Sequence, residues 1–403
     1  MASTPRMLKA ADAFHEAGYE VRMVCAEQVD WCIKAGIIER AKRSWKCRVV
    51  DWHPVTGKGL YQWSRLRHYF YRKLVSIIGT SRIGLTALIN ANSRVGPEIL
   101  NAILEEPFDF LYAGTAGGIG IGALAAQIAK KPYGLDLEDF HSDELEGSAQ
   151  ALLTHKIMEN VEKCVCFGAR FLTAGSKAMA LEYRKKYGFL PEVINNVFEL
   201  PTSDPSIEIG TNGLLKVIWF SQTLGHGRGL ESFLETVALM KAKVQLTLRG
   251  TLEKGFDLVL KNISAKSKGR LNLEIKMQDP TKSPEQICEG YDIGLALEQG
   301  QVRNREVCLC NKPLTYPLAG LAVVLTDTEG QREFGLDMGP GAFLFQKESL
   351  SELARKLDEL AFNPAEMLVA KQASWEAAKR RWHWEHPEEK GKLLNLISKV
   401  FEY

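Results

Sequence analysis

Short apolar runs alternate with helical stretches along nearly all of this 403-residue chain, and one polar stretch, "PTSDPSIEIGTNG" at 201–213, interrupts them. This alternation constrains the fold more than any other feature. Strand–helix–strand units bury their strands in a parallel sheet with helices on both faces. The same α/β pattern is made twice, once on each side of a linker rich in Pro, Gly, Ser and Thr. The length also suits two cores better than one. Two such domains facing each other would form a cleft at the C-terminal ends of their strands, where open α/β sheets bind ligands.

The first helix is expected in "STPRMLKAADAFHEAG", with Ser3 or Thr4 as cap, Pro5 in the first turn and Gly18 at the end. Met7, Leu8, Ala11 and Phe14 share one face of it. A strand at 20–25 follows, so the chain opens on a helix with no strand ahead of it. A crossover helix normally returns from a preceding strand. Further strands are expected at 47–52, 108–115, 132–139, within 164–176 and at 191–197, then at 215–220, 244–250, 271–276, 292–298 and 321–326. Helices are expected at 60–79, 120–131, 180–188, 228–243 and 283–290, with a helical end from 349 onward. The helix over 60–79 carries an apolar stripe of Trp63, Leu66, Phe70, Leu74 and Ile77 and a basic one of Arg65, His68 and Arg72. It reads as an amphipathic helix packed on its domain. The sharper alternative is a surface over 61–79 resting on anionic lipid.

Composition excludes several classes. A net charge of +2 is too balanced for nucleic-acid binding by bulk electrostatics. No apolar run approaches the roughly 20 residues of a membrane helix, and the first residues lack a signal peptide's apolar core. The eight cysteines form no C-x-x-C, and the pairs Cys164/Cys166 and Cys308/Cys310 are too close for the usual zinc knuckle. They read as buried, reduced thiols of a cytoplasmic protein with no metal site.

Four stretches carry residues suited to chemistry. In "GTAGGIGIGALAAQIAKKPYGLDLED", Gly120, Gly122 and Ala125 match G-x-G-x-x-A between a strand and a helix, with Asp136 ending the next strand. The match fits a dinucleotide site, but it lies mid-domain, and tight helix packing wants the same glycines. In "LDLEDFHSDE", Glu138, Asp139 and His141 sit among acids past a strand end, placed to bind hydroxyls or take a proton. In "WFSQTLGHGRGLESF", Gly225 and Gly227 free backbone N–H groups at a helix start, and Arg228 offers a fork for phosphate. In "CNKPLTYPLAG", Lys312 adds a second cation, while Arg303, Arg305 and Glu298 lie just ahead.

These residues, in this order, resemble a GT-B glycosyltransferase of the family 4 type. The resemblance rests on "RMLKAADAFHEAGYEV", "GLDLEDFHSDE", "VINNV", "FSQTLGHGRGLE" and "YDIGLALE…NKPLTYPLAGLAVVLTD…GQRE". It implies two Rossmann-like domains: an acceptor domain at 1–205, a nucleotide-sugar domain at 206–385, and a terminal helix at 386–403 crossing back to the first. It implies a retaining, metal-independent transfer without a cofactor, from a nucleotide sugar to a glycan or lipid-linked acceptor. A hexosyltransferase of cell-surface polysaccharide biosynthesis is the expected type. Arg228 and Lys312, with Gly225 and Gly227, would take the donor diphosphate. His141, Glu138 and Asp139 would form the catalytic, acceptor-facing group, and Glu298, Asn311 and Thr315 would meet the donor nucleoside or sugar.

The chain departs from the family in two ways. Many members carry glutamates where this chain has Val307 and Thr315. The second glutamate is read as a hydrogen bond to the ribose, and its loss at Thr315 would weaken donor binding roughly ten- to a hundred-fold, with Glu298 or Glu306 compensating and Glu298 favoured. The family also begins with a strand ahead of the helix matched by residues 5–17. Its absence suggests that Met1 is an internal methionine or that the chain is truncated. Two other readings stay open: an NAD-dependent oxidoreductase or epimerase, from the glycine motif, and a non-catalytic sugar-nucleotide-binding protein, from the absent glutamates.

Overall fold

The structure is a computed structural model describing residues 4–208, 213–279 and 282–402. The candidate cap Ser3, Met1 and the middle of the linker, 209–212, lie outside the described residues. The chain divides into two compact units. Unit 1 is Met1–Asn195 with Val302–Asn304 and Pro387–Tyr403, and unit 2 is Asn196–Gln301 with Arg305–His386. The change from one to the other thus falls at Asn195/Asn196, ahead of the polar linker.

Unit 1 begins with α1 (Pro5–Glu16), β1 (Arg22–Glu27), α2 (Asp30–Ala41), β2 (Lys46–Asp51) and α3 (Lys58–Ile78). Next come α4 (Leu85–Asn92), α5 (Gly96–Leu104), β3 (Leu111–Gly114), α6 (Ile119–Ala129) and β4 (Tyr133–Leu137). Then follow α7 (Ala149–Val165), β5 (Phe171–Ala174), α8 (Lys177–Tyr187) and β6 (Glu192–Val193). Its strands are parallel but lie in two separate sheets, β1-β2 and β3-β4-β5-β6. One apolar cluster packs Leu8, Ala11 and Trp45 with Val21, Met23, Cys25 and Cys47. Another joins Val24 of β1 and Leu111 of β3 to Ile89, Ile103 and Ile121.

Unit 2 holds β7 (Leu214–Leu224), α9 (Leu230–Leu239), β8 (Lys243–Leu252), α10 (Phe256–Ala265), β9 (Leu271–Lys276) and β10 (Ile293–Ala296). After β10 come α11 (Arg303–Val307), α12 (Asn311–Thr315), β11 (Ala322–Thr326), α13 (Glu329–Asp337), β12 (Ala342–Phe345), α14 (Leu350–Phe362) and α15 (Pro364–Arg380). Six parallel strands stand in the order β12-β11-β10-β7-β8-β9. The chain winds outward from β7 to β9, then starts again at β10 on β7's other side. The β7/β10 boundary is therefore a topological switch point, the place where doubly wound sheets bind ligands. One large apolar cluster holds the sheet, with Val217, Trp219, Leu246, Leu295 and Val324 all essentially without exposure. The last helix, α16 (Lys392–Phe401), belongs to unit 1 and stacks Phe401 on Tyr19.

Residues 283–290, expected as a helix, form only a single 3-10 turn at Gln286–Cys288. Pro284 and Gly290 flank too short a run to propagate a helix.

Candidate functional site

The switch point of unit 2 gathers Arg228, Glu298, Arg305 and Lys312. The loop leaving β7 reaches α9 through glycines, of which Gly225 faces only the movable end of exposed Glu253 and Gly229 permits no side chain. A Cβ on Gly225 would lie 2.0 Å from Glu253 Oε2. Gly229 has φ +76°, and a Cβ there would lie 2.4 Å from the carbonyl of Leu297. The loop thus folds back onto the end of β10 because Gly229 is bare. Gly227, also at positive φ, accepts a bond from Gln301 Nε2 at 2.6 Å.

Behind β10, Glu298 is 4% exposed and stands between two cations. Lys312 Nζ donates to its Oε1 at 2.9 Å and Arg305 Nη1 to its Oε2 at 2.7 Å. Burial would raise the carboxyl's pKa, but Lys312 and Arg305 outweigh it and hold the group down to about 2. Burial disfavours the charge on Lys312, yet Cys310 and Glu298 favour it, and its pKa ends above the usual lysine range. The ammonium also lies 5.5 Å above the Trp219 ring. Arg228 differs from the other two cations. It is half-buried, its pKa is lowered by burial and then by Arg305, and its Nη1 donates a 3.3 Å bond to Ser221 Oγ. Three cations thus stand around one buried carboxylate, with Glu253 on the exposed side of the loop.

Three of the residues expected to meet nucleoside or sugar have other partners. Glu298 uses both oxygens on Lys312 and Arg305, so it is their counter-ion and not a free ribose acceptor. Thr315 is fully buried and its hydroxyl donates to the Asn311 carbonyl at 3.0 Å, so it does not replace an exposed carboxylate. Asn311 Oδ1 accepts from Asn196 Nδ2 at 2.6 Å. Val307 is also buried, and Glu306 accepts from the Glu329 N–H at 3.0 Å, at the start of α13. Arg305 is the residue that sequence reasoning undervalued. Its signal was a cation seven residues past Glu298, on a short helix returning toward it.

In unit 1 the acidic loop follows β4. Asp136 ends the strand fully buried and is held by Arg6, whose Nε and Nη2 donate at 2.8 and 2.6 Å, and by Thr173 Oγ1 at 2.6 Å. It is therefore structural, and the next acid along the chain is Glu138. Burial first, then Asp136 and Asp139, push Glu138 up to about 7. Asp139 accepts from Asn304 Nδ2 at 2.9 Å. His141 is buried, with Nδ1 3.3 Å from Glu144 Oε2 and Nε2 without a partner among the described residues. Burial opposes its charge, but Glu144, Asp139 and Glu162 raise its pKa to about 9. At neutral pH it is thus a cation and a donor, and Glu138 is the group poised to exchange a proton. Beneath the loop, buried Glu162 accepts from Tyr187 and, at 2.9 Å, from Tyr183. This support was not legible in sequence, because Glu162 lies in a helix with ordinary spacing. Among the described residues no group of three or more His, Cys, Asp or Glu side chains could hold a metal ion.

The glycine motif at 120–125 serves packing. Gly120 and Gly122 lie buried within α6, where a Cβ would sit 3.0 Å from Val161 Cγ1 and 2.4 Å from Ala113 Cβ. Side chains fill the space that a pyrophosphate would need.

The long helix α3 reverses the expected packing. Trp63, Leu66, Phe70 and Ile77 are exposed, between 60% and 81%, whereas much of the basic side faces the unit. Arg67 holds Glu98 and the Arg94 carbonyl, His68 bonds the Asn90 carbonyl, and Arg72 bonds Thr154 and Gln150. Of the expected basic stripe, only Arg65 remains fully exposed. No helix among the described residues is long and apolar enough to cross a membrane.

The two units define an α/β chain with the fold of the GT-B glycosyltransferases, two Rossmann-like domains. Three solved structures carry that statement. Anabaena HepE in complex with UDP and glucose is 15% identical, with a TM-score of 0.61 over 94% of this chain and 99% of its own. Sucrose-phosphate synthase from Thermosynechococcus elongatus is 10% identical, with 0.66 over 98% and 92%. A variant of S. aureus TarM, in complex with fondaparinux, alpha-GlcNAc-glycerol and UDP, is 12% identical, with 0.67 over 99% and 96%. At these identities the likeness is one of fold. No family profile matches the chain, and no curated protein matches its sequence.

Proposed function

We propose that this chain is a glycosyltransferase that takes a sugar from a nucleoside-diphosphate donor held by unit 2. The observation that carries this reading is the cluster at the β7/β10 switch point. Arg228, Arg305 and Lys312 surround Glu298 and, with Glu253 also acting on Arg228, leave an excess of one positive charge in a partly buried site. A nucleoside diphosphate supplies the matching negative charge. Arg228, the least satisfied of the three, meets the phosphates first, and the loop N–H groups around Gly225 and Gly227 assist. Their role is to stabilise charge on the leaving diphosphate as the glycosidic bond breaks. HepE and TarM were each solved with UDP bound, and this makes a uridine donor the first to try.

The acidic loop of unit 1 serves the acceptor. Cationic His141 donates to hydroxyls, Asp139 fixes the loop, and Glu138 is the proton acceptor. Retention of configuration, independence of metals and of cofactors, a hexosyl donor and a glycan or lipid-linked acceptor complete the reading. Cell-surface polysaccharide synthesis in the cytoplasm is its setting. Incubation with a panel of nucleotide sugars in EDTA should release nucleotide, and Arg228→Ala should lower kcat/KM about a hundred-fold or more. Release by no donor, with UDP still bound, would establish the non-catalytic alternative. Stabilisation by NAD and not by UDP or GDP would overturn the reading altogether.

The exposed face of α3 supports peripheral membrane contact, now through apolar insertion more than through charge. Binding to vesicles is expected to fall several-fold in Trp63→Ser/Phe70→Ser and only weakly with added salt. A steep salt dependence, or no binding to vesicles of any charge, would remove this part.

A further inference from the structure

Beneath the acidic loop, α7 and α8 bring one carboxyl and two phenols together. Glu162 on α7 and Tyr183 on α8 are both without solvent exposure. Glu162 has no part in the chemistry proposed above, and an ionised carboxylate at such depth is costly unless every oxygen is well served.

The hydrogen bonds around it are short of one proton. Tyr183 Oη lies 2.9 Å from the Asp139 carbonyl and 2.9 Å from Glu162 Oε1. Tyr187 Oη lies against Glu162 Oε2 and 3.1 Å from Ser142 Oγ. Lys186 Nζ donates to Ser142 Oγ at 2.8 Å and so brings its own proton. Four oxygen–oxygen contacts therefore need four protons, and the hydroxyls of Tyr183, Tyr187 and Ser142 carry three. The shortfall falls on Tyr183, whose single proton faces two acceptors. With Glu162 ionised, lone pairs meet lone pairs at 2.9 Å, against either the carboxylate or the Asp139 carbonyl. An unserved acceptor in a low-dielectric interior is expensive. A proton on Glu162 Oε1 removes the conflict. The acid then donates to Tyr183, Tyr183 donates to the Asp139 carbonyl, Tyr187 donates to Oε2 and Ser142 donates to Tyr187. Glu162 thus keeps the bond from Tyr187 but gives, rather than takes, the one shared with Tyr183.

The surrounding charges agree. The loop after β4 turns His141 toward Glu162, α8 contributes Tyr183, Tyr187 and, through Ser142, Lys186, and α7 itself contributes Cys166. Glu159, also on α7, acts on Tyr187. Burial raises the Glu162 carboxyl, and His141, Tyr187, Tyr183 and Ser142 oppose this without prevailing. Burial first, and then Glu162, hold both phenols above their usual range, so each keeps its proton. His141 owes its charge to Glu144 and Asp139 before Glu162, so a neutral Glu162 leaves it a cation.

We infer that Glu162 is a neutral carboxylic acid at neutral pH and the positioning residue of the acidic loop. Its O–H fixes Asp139 through Tyr183, and its carbonyl oxygen fixes Ser142 through Tyr187. Asp139 and Ser142 flank Phe140 and His141, so the acid sets where the histidine stands. What this does for an acceptor rests on the function proposed above, whereas the proton and the order of the loop do not.

The test uses the full chain with Glu162→Gln, which keeps a donor toward Tyr183 and an acceptor toward Tyr187, and Glu162→Leu, which keeps neither. The infrared difference between wild type and Glu162→Gln at pH 7 should contain a carboxylic-acid C=O band that shifts on carbon-13 labelling of glutamate. A carboxyl raised in the folded chain gives stability that is fully present below its unfolded value of 4.5 and is lost as pH rises toward the folded one. Glutamine has no such loss. Relative to wild type, the melting temperature of unit 1 in Glu162→Gln should therefore rise by at least about 3 °C between pH 5 and pH 7. Amide exchange over residues 139–143 should be unchanged in Glu162→Gln and about ten-fold faster in Glu162→Leu. Absence of the band, or a glutamine variant that loses ground as pH rises, would overturn the neutral acid. Loop exchange in Glu162→Leu equal to wild type would overturn the positioning role. Should Glu162→Leu fail to fold, faster loop exchange in Glu162→Gln would do the same. None of these readouts uses a nucleotide or a sugar, so the inference and the proposed activity succeed or fail separately.

Discussion

Replacing Glu298 with glutamine should destabilise unit 2 by about 3 kcal/mol at pH 7, yet tighten its hold on a nucleoside diphosphate. The stability term follows from linkage. Glu298 titrates at about 2 in the folded chain against 4.5 for an ordinary glutamate. A depressed carboxyl contributes stability that is fully present above the unfolded value and is lost as pH falls through the folded one. The variant and the wild type should therefore converge between about pH 4.5 and 2, as hydrogen exchange of β7 and β10 amides would show. The binding term follows from charge. With the carboxylate gone, Lys312 and Arg305 lose their internal counter-ion and the ligand's phosphates take its place. If Glu298 instead holds a ribose, affinity for the diphosphate falls in the variant, and the counter-ion role is wrong.

Arg6→Met should cost unit 1 about 3–5 kcal/mol, because it leaves Asp136 charged and buried without its partner. Arg6 is nearly inaccessible, and Asp136 more so. The guanidinium also donates to the Ile194 carbonyl at 2.6 Å, so it ties α1 to the ends of β4 and of β6 at once. The double variant Arg6→Met/Asp136→Leu should recover most of the loss, since apolar pairs of similar volume replace buried ion pairs without great penalty. Chemical denaturation followed at unit 1 amides measures both. A double variant no better than the single would mean that Arg6 acts through Ile194 alone.

The alternation of apolar strands with helices carried the order of elements well. It located β9 and β11 almost to the residue and β8 to within two, and placed β7 but ended it four residues short; the buried strands among them are written as continuous apolar runs. It missed β12, whose four residues follow "MGPG" without a strand's usual length. α2, α4, α5 and most of α7 were also missed, since local spacing alone did not set them apart and even the Ser148 cap of α7 gave too little signal. In α3 the periodicity was real but the side was wrong. Spacing gives the stripes of a helix, but which stripe faces inward depends on carbonyls and acids elsewhere, here Asn90, Arg94 and Glu98.

The candidate site was legible in the same uneven way. Glycines, an arginine and a lysine near strand ends pointed to the β7/β10 boundary, because the motif residues themselves lie beside the strands that place them. The pairing of Glu298 with Arg305 and Lys312 was not visible, and neither was that of Arg6 with Asp136, 130 residues away. Buried ion pairs are products of the tertiary fold, and a single sequence does not record their partners.

The central claim is that unit 2 binds a nucleoside diphosphate through Arg228, Arg305 and Lys312. Calorimetric titration of UDP into the wild type and into Arg228→Ala tests it most directly. The account predicts saturable, salt-sensitive binding without added metal, weakened at least about ten-fold in the variant and little changed when UMP is titrated into either. Equal UDP affinity in the two proteins would contradict it.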